Sequence, residues 1–240
     1  DYVKVGGDFV MDSTKSHTDY LTAGILEVKG NFTQKTSQTG TNLERKYNFQ
    51  ATGTHKVILS GDTEQIVSFE DADYYSYSKF NILEVQNPNI SFSTPVEITT
   101  LIADTIHHVG KFSVFGAMSI SKTMTITGDG FEFNSPPEKA LKTNGNTLTI
   151  AGNMAAMRGV VDLTGSTLLV TGDFIQEDGT VKINGGRMEV GGDYRIQYAT
   201  TGTDGTITYS YCTGIFNMTN AADYVKVGGD FVMDSTKSHT

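Results

Sequence analysis

The amino-acid sequence predicts an all-β protein, a parallel β-helix or β-solenoid with coils of about 20–24 residues and loop insertions. Three observations predict this fold. Apolar and polar residues alternate in short runs, one motif recurs with a period of 20 residues, and an 18-residue segment occurs twice. Apolar residues at the spacing of an amphipathic helix are not found, so the pattern favours strands throughout.

Half-buried strands are predicted from runs such as TLTIAG, TLLVTG and VKING. Every second residue of these runs is apolar, and alternate side chains of a strand point to opposite faces of a sheet. The chain also contains 26 glycines but only 4 prolines. This composition suits many short strands joined by turns.

The 20-residue period is clearest between residues 145 and 197. The segments TLTIAGNM, TLLVTGDF and RMEVGGDY begin at residues 147, 167 and 187. Their apolar positions align in three sets: Leu148, Leu168 and Met188; Ile150, Val170 and Val190; Met154, Phe174 and Tyr194. A coil this short cannot bury its own apolar face. We therefore expect coils to stack ~4.8 Å apart, with equivalent residues forming ladders along the axis.

A glycine followed by asparagine or aspartate closes the strand in each segment. We interpret these pairs as a structural turn ladder made of Gly152, Asn153, Gly172, Asp173, Gly192 and Asp193. Glycine is expected to adopt backbone angles that other residues resist, and the Asn or Asp to tolerate the left-handed conformation and cap the turn. Calcium binding is the alternative, but calcium-binding β-rolls need an Asp in every turn of a nine-residue repeat.

Elsewhere the motif recurs at wider intervals, which we expect to contain degenerate coils or inserted loops. Degenerate coils are predicted around residues 82–88 and 96–103, and loops over 34–48, 71–79, 133–145 and 196–219. Two β-sandwich modules of about 110 residues each are the alternative fold. That alternative leaves the 20-residue period unexplained.

The segment DYVKVGGDFVMDSTKSHT occurs at residues 1–18 and again at residues 223–240. This duplication predicts that residues 1–222 form one full β-solenoid repeat and that residues 223–240 start the next identical repeat. A deliberate overlap introduced by engineering would give the same pattern. If the end of one repeat meets the start of an identical one, association is head-to-tail and open-ended. We expect one covalent chain to run through the contact.

Four segments resemble a known group of proteins: YLTAGILEVKGNFTQ, ATGTHKVILSGDTEQIVSF, SKFNILEVQN and GSTLLVTGDFIQEDGTVKINGGRMEVGGDYRIQ. The group consists of large tandem-repeat β-solenoid proteins, adhesin-like and secreted or surface-displayed, of anaerobic Gram-positive bacteria. The resemblance implies an extracellular location and carries over no catalytic residue. Together with the repeats it predicts a structural role, as a fibre, a stalk or the shaft of an adhesin.

Charge and composition argue against several partners. The formal net charge is −9 and no basic cluster is present, which disfavours nucleic acid and anionic membranes. No apolar run approaches the ~20 residues of a membrane-spanning helix. The histidines His17, His55, His107 and His108 are too scattered to predict a metal site, so no metal and no cofactor are expected. Cys212 is interpreted as a packed thiol, with a cross-link between neighbouring chains as the alternative.

The acidic, tyrosine-rich segment at residues 68–80 concentrates residue types that bind sugars. Tyr74, Tyr75 and Tyr77 would offer stacking faces and Asp73 a polar partner, so a carbohydrate- or cell-wall-binding module is the alternative function. A polysaccharide-degrading enzyme is the third candidate, because glycan cleavage needs two carboxylates ~5–9.5 Å apart and Glu70 is nearby. A solvated loop packed on the solenoid is the favoured interpretation, and no enzymatic activity is predicted.

Overall fold

The computed structural model describes residues 1–36, 43–70 and 77–237. Within these residues the chain forms 27 β-strands and one 3-10 helix, Leu43–Tyr47. The strands up to residue 134 are β1 (Tyr2–Val5), β2 (Phe9–Met11), β3 (Ile25–Val28), β4 (Phe32–Gln34), β5 (Lys56–Leu59), β6 (Gln65–Phe69), β7 (Phe80–Val85), β8 (Ile90–Phe92), β9 (Val96–Ile102), β10 (Thr105–His107), β11 (Lys111–Ile120), β12 (Met124–Thr127) and β13 (Gly130–Asn134). The remaining strands are β14 (Ala140–Lys142), β15 (Thr147–Ala151), β16 (Met154–Arg158), β17 (Val160–Asp162), β18 (Thr167–Val170), β19 (Phe174–Gln176), β20 (Thr180–Lys182), β21 (Arg187–Val190), β22 (Tyr194–Ile196), β23 (Tyr198–Thr201), β24 (Ile207–Ser210), β25 (Ile215–Asn217), β26 (Tyr224–Val227) and β27 (Phe231–Met233).

Successive coils stack as parallel strands, which confirms the predicted β-solenoid. In the most regular part, β15, β16 and β17 of one coil pair with β18, β19 and β20 of the next. The pairing joins residues 20 apart in sequence, for example Leu148 with Leu168 and Leu168 with Met188. The 20-residue period therefore arises because one full coil separates neighbouring strands of a sheet.

Three parallel sheets run along the axis. The largest has 15 strands and includes the path β1-β3-β5-β7-β9-β11-β13-β16-β19-β22-β27. The second has the order β10-β12-β15-β18-β21-β26, and the third the order β2-β4-β6-β8. The predicted degenerate coils contribute β7 and β9.

The arrangement of the sheets changes at β11, which is ten residues long. Its first residues pair with β13 and its later residues pair with β14. The register against β9 shifts between Val114 and Met118 and again between Met118 and Ile120. One long strand thus belongs to two columns of the large sheet, where the coils that follow it use two separate strands, such as β16 and β17.

One inward position forms a continuous column through the whole described solenoid. We call it the aromatic column, and its members are Phe9, Phe32, Val67, Phe92, Phe112, Phe131, Met154, Phe174, Tyr194 and Phe231. Where the sheets rearrange, it continues by ring stacking, with the Phe92 and Phe112 centroids 4.3 Å apart. Its nine steps correspond to about 43 Å along the axis at ~4.8 Å per step.

Two predicted loops contain short internal β-strands, and a third, residues 34–48, contains the 3-10 helix Leu43–Tyr47. Residues 140–142, inside the predicted loop 133–145, form β14 and continue a column with β17 and β20. Residues 196–219 include an antiparallel hairpin of β23 and β24, followed by β25, which pairs with β20. The loop predictions were wrong here because short strands stabilised by stacked neighbours need little alternation of their own.

Candidate functional site

The two copies of the 18-residue segment lie at opposite ends of the solenoid. The N-terminal copy (residues 1–18) contains β1 and β2, and the C-terminal copy (residues 223–240, described to 237) contains β26 and β27. The strands begin and end at the same positions of the segment in both copies. Identical sequences therefore adopt the same strand pattern in two different surroundings.

Each copy is paired along one edge, and the paired edges differ. The N-terminal copy pairs with the strands that follow it, β1 with β3 and β2 with β4. The C-terminal copy pairs with the strands that precede it, β26 with β21 and β27 with β22. In the described part of the chain, no strand pairs with the other edge of either copy. The two copies together therefore show how each of the two edges of the 18-residue segment pairs with a neighbouring coil.

Three hydrogen bonds join neighbouring coils at the glycine–Asx corner. Between the coils of Gly172 and Gly192, the Gly192 N–H donates to the Gly172 carbonyl oxygen at 3.0 Å. The Asp193 N–H donates to Oδ1 of Asp173 at 2.9 Å. The Phe174 N–H donates to the carbonyl oxygen of Asp193 at 2.8 Å. The Asp or Asn side chain of one coil thus caps a backbone N–H of the next coil.

The N-terminal copy makes the same three bonds on its paired edge. The Gly30 N–H donates to the Gly7 carbonyl at 2.9 Å, and the Asn31 N–H donates to Oδ1 of Asp8 at 2.7 Å. The Phe9 N–H donates to the Asn31 carbonyl at 2.8 Å. Asp8 therefore acts through its side-chain oxygen toward the following coil.

The C-terminal copy makes them on the opposite edge. The Gly229 N–H donates to the Gly192 carbonyl, the Asp230 N–H to Oδ1 of Asp193, and the Tyr194 N–H to the Asp230 carbonyl, each at 2.8 Å. Asp230 therefore acts through its backbone toward the preceding coil. Since it is the same residue of the segment as Asp8, one residue can make both sets of bonds with different atoms.

Close approach between coils explains the corner glycines. Of the three predicted corner glycines, only Gly152 has a positive φ, +155°, which other residues resist. Gly172 and Gly192 do not, and none of the three Asn or Asp residues adopts the expected left-handed conformation, so that part of the prediction was wrong. A Cβ on Gly192 would lie 2.1 Å from Oδ1 of Asp173. Glycine is required because the capping carboxylate or amide of the preceding coil fills the space of a side chain.

The ladder uses only an acceptor oxygen of the side chain, which explains why either Asp or Asn can occupy the position. At Asp193 a further interaction is present, an ion pair with Arg195 at 2.7 Å. The pKa of Asp193 is lowered, first by the hydrogen bond from the Asp230 N–H and then by Arg195. The carboxylate form is thus the one that the corner stabilises.

Acid is expected to weaken this corner. A carboxyl group whose pKa is lowered by folding stabilises the fold above its unfolded-state pKa of about 3.9, and this contribution is lost as the pH falls through the folded-state pKa. In Asp193→Asn an oxygen acceptor remains but no proton can be gained. We expect its free energy of unfolding to fall less than that of the wild type between neutral pH and about pH 3. Equal pH profiles for the two proteins in denaturant titrations would contradict this.

Both solenoid ends expose apolar side chains, and the equivalent residues Tyr2 and Tyr224 are exposed at both. At the N-terminal end, Tyr2 is 56% and Val10 52% exposed. A groove of about 270 Å³ opens there, lined by Val3, Phe9, Met11, Leu21, Leu26 and Phe49 among others. At the C-terminal end, Tyr224, Phe231 and Met233 are 42–47% exposed. Contiguous exposed apolar surface of this kind marks an interaction site.

The tyrosine-rich segment is only partly described. Asp73, Tyr74 and Tyr75 lie outside the described residues. The Tyr77 ring packs edge-on against Tyr47 with centroids 5.0 Å apart, and the Lys46 Nζ lies 4.8 Å from the Tyr77 centroid. A sugar-binding role for this segment therefore stays a prediction.

Two buried groups belong to the core. His108 lies parallel to the rings of Phe92 and Phe112, and its Nε2 is 2.9 Å from the Phe92 backbone nitrogen. Cys212 is fully buried, and burial raises the pKa of its thiol. The sequence predicts that His107 and His108 point to opposite faces, because neighbouring residues of an extended segment do so, and the structure has His107 exposed and His108 buried.

Among the described residues, no group of three or more His, Cys, Asp or Glu side chains is arranged to hold a metal ion. None of the described residues forms a helix long and apolar enough to cross a membrane. Comparison of the chain with protein-family models, with curated proteins and with solved structures gives no significant match.

Proposed function

We propose that the chain is one repeat of a continuous β-solenoid shaft, assembled head-to-tail from identical repeats and serving as the structural part of an extracellular fibre, stalk or adhesin. The observation that carries the proposal is the glycine–Asx corner. The duplicated segment makes the same three inter-coil hydrogen bonds as an interior coil, toward the following coil in one copy and toward the preceding coil in the other.

Because the two sets of bonds use different atoms, a single copy placed between two repeats can make both at once. Its Asp would receive the N–H of the next coil on Oδ1 while its own N–H donates to Asp193 of the preceding coil. A hydrogen bond of this kind contributes about 0.5–1.5 kcal/mol net. The greater benefit is that the corner N–H groups of both coils would be paired at the junction.

Outward-facing charges also complement one another across such a junction. In the N-terminal copy Lys4 pairs with Glu27 at 2.8 Å, and in the C-terminal copy the equivalent Lys226 lies 4.0 Å from Glu189. One lysine would therefore stand between two carboxylates, from the preceding and the following coil. Alternating charge signs along a sheet face favour this register over a shifted one.

The aromatic column supports the same register in the core. Its first and last members, Phe9 and Phe231, are the same residue of the duplicated segment. The column would therefore continue through every junction without a change of spacing, one repeat adding about 43 Å. A solenoid of this kind is stabilised by contacts between neighbouring coils and grows by adding coils, which suits a shaft that sets a distance.

The extracellular location and the adhesin role are supported by the resemblance of the repeat segments to surface-displayed and secreted bacterial β-solenoids. Antibody labelling of intact cells that make the protein tests the location.

Hydrogen exchange on a two-repeat chain, residues 1–222 followed by residues 1–240, tests the continuous junction. We expect amides of the internal segment copy to exchange as slowly as those of β18 and β19, because both of its edges are paired. Peptides that run from Asn220 through the segment to Tyr20 occur only at the junction, so its signal is separate from those of the two terminal copies. Internal-copy amides that exchange as fast as those of the terminal copies would contradict the proposal.

A further inference from the structure

We infer that the C-terminal copy is an exchangeable cap, and that its release lets the N-terminal copy of a second molecule take its place, so that separate chains polymerise head-to-tail. The inference rests on the junction geometry of the proposed function. It adds that the junction can form without a covalent link, by strand exchange.

The acceptor is the surface that the C-terminal copy covers. It offers the edges of β21 and β22 to parallel pairing. It also offers the Tyr194 ring, 5.2 Å from that of Phe231, and the Arg187 guanidinium, 4.0 Å from the Tyr224 ring centroid. These contacts are specific for the sequence of the 18-residue segment and for the positions of its two strands.

The donor is the N-terminal copy, whose sequence and strands are identical and whose outer edge pairs with no described strand. A Cβ added to Gly7 would meet no atom within 4 Å, whereas one added to the equivalent Gly229 would lie 2.3 Å from Oδ1 of Asp193. The Asp8 side chain is already engaged with Asn31 on the other edge. Nothing in the N-terminal copy has to be broken before it docks on the acceptor of a second molecule.

The equilibrium between a chain capped by its own C-terminal copy and a chain docked to a second molecule depends on the covalent link to that copy. Exchange replaces each contact of the cap by the same contact from another molecule, so the contact energies cancel. The internal copy has the advantage of a covalent tether, which corresponds to an effective concentration in the millimolar range for short linkers. The chain is therefore expected to be a self-capped monomer at micromolar concentration, and a weakened cap shifts it toward open-ended polymers.

Matched substitutions in the 240-residue chain test the inference. Gly229→Asp places a side chain against Asp193 and should shift the cap from docked to released by roughly 10- to 100-fold, the size of an overpacking defect. A 10- to 100-fold weaker cap reduces a millimolar tether advantage to about 10–100 µM. At several hundred micromolar protein we therefore expect this variant to form end-to-end polymers, measured by light scattering at that concentration and by negative-stain microscopy. Gly7→Asp alone should stay monomeric, and the double variant should also stay monomeric, because both of its copies are blocked.

Two results would overturn the inference. In the first, Gly229→Asp stays monomeric and so does Gly229→Asp/Phe231→Asp. Faster hydrogen exchange at residues 224–233 of the second variant would show that its cap is released and that release alone does not cause polymerisation. The other is polymerisation of the Gly7→Asp/Gly229→Asp protein to the same extent as Gly229→Asp, which would indicate non-specific association. Neither result affects the two-repeat exchange experiment, because a covalent junction needs no exchange between molecules.

Discussion

Replacing Phe32 with alanine is expected to lower the free energy of unfolding by about 3–5 kcal/mol. Phe32 is completely buried in the aromatic column. Its ring contacts four others, with centroid distances of 4.8 Å to Phe49 and Phe80, 5.2 Å to Phe9 and 5.6 Å to Phe69. Stacked coils on both sides limit how far the cavity can close, which places the loss in the range of large-to-small core substitutions.

Tyr20→Ala is the control for this variant, because Tyr20 is also aromatic but 79% exposed. Its loss should stay within about 0.5 kcal/mol. Denaturant titrations followed by circular dichroism measure both variants. Similar losses for Phe32→Ala and Tyr20→Ala would mean that the aromatic column does not carry the stability of the fold.

The second large effect is expected at a corner glycine. In Gly192→Ala the added methyl group would lie 2.1 Å from Oδ1 of Asp173 and 3.1 Å from the Gly172 carbonyl carbon. The capping hydrogen bond must break or the coils must separate, which should lower the free energy of unfolding by about 1–3 kcal/mol. Thermal and denaturant unfolding both report it.

Gly7→Ala is the matched control, since Gly7 occupies the same corner position but no atom lies within 4 Å of the added Cβ. Its φ is not positive, so alanine fits the backbone without strain. Alanine at such a position is neutral or stabilises by about 0.4–1 kcal/mol, by restricting the unfolded chain. If both substitutions destabilise equally, glycine is needed at this position for its backbone conformation and not for the close approach of neighbouring coils.

The regular part of the fold could be predicted because three consecutive coils contain no insertion. Leu148, Leu168 and Met188 are spaced by one coil, so the period in the sequence equals the neighbour relation in the sheet. At β11 the spacing in the sequence no longer gives the paired residue, because this strand belongs to two columns and its register against β9 shifts. Local alternation in the sequence carries no signal for such a change.

The corner illustrates a different limit. The reason for glycine at 172 is Asn153 in the preceding coil, whose Oδ1 would lie 2.2 Å from a Cβ there. Local propensity pointed instead to a positive φ, which is the usual reason for glycine in a turn. The hairpin of β23 and β24 could have been predicted, because Asp204-Gly205 between two Thr- and Tyr-rich runs is a common turn signal.

The measurement that tests the central claim most directly is electron cryo-microscopy of a chain with several tandem copies of residues 1–222. The account predicts one unbroken solenoid with coils every ~4.8 Å and an axial repeat of about 43 Å, with the glycine–Asx corner ladder continuing through each junction. Separate solenoid bodies joined by a bend or gap at the duplicated segment, or an axial repeat unrelated to nine coil steps, would contradict it.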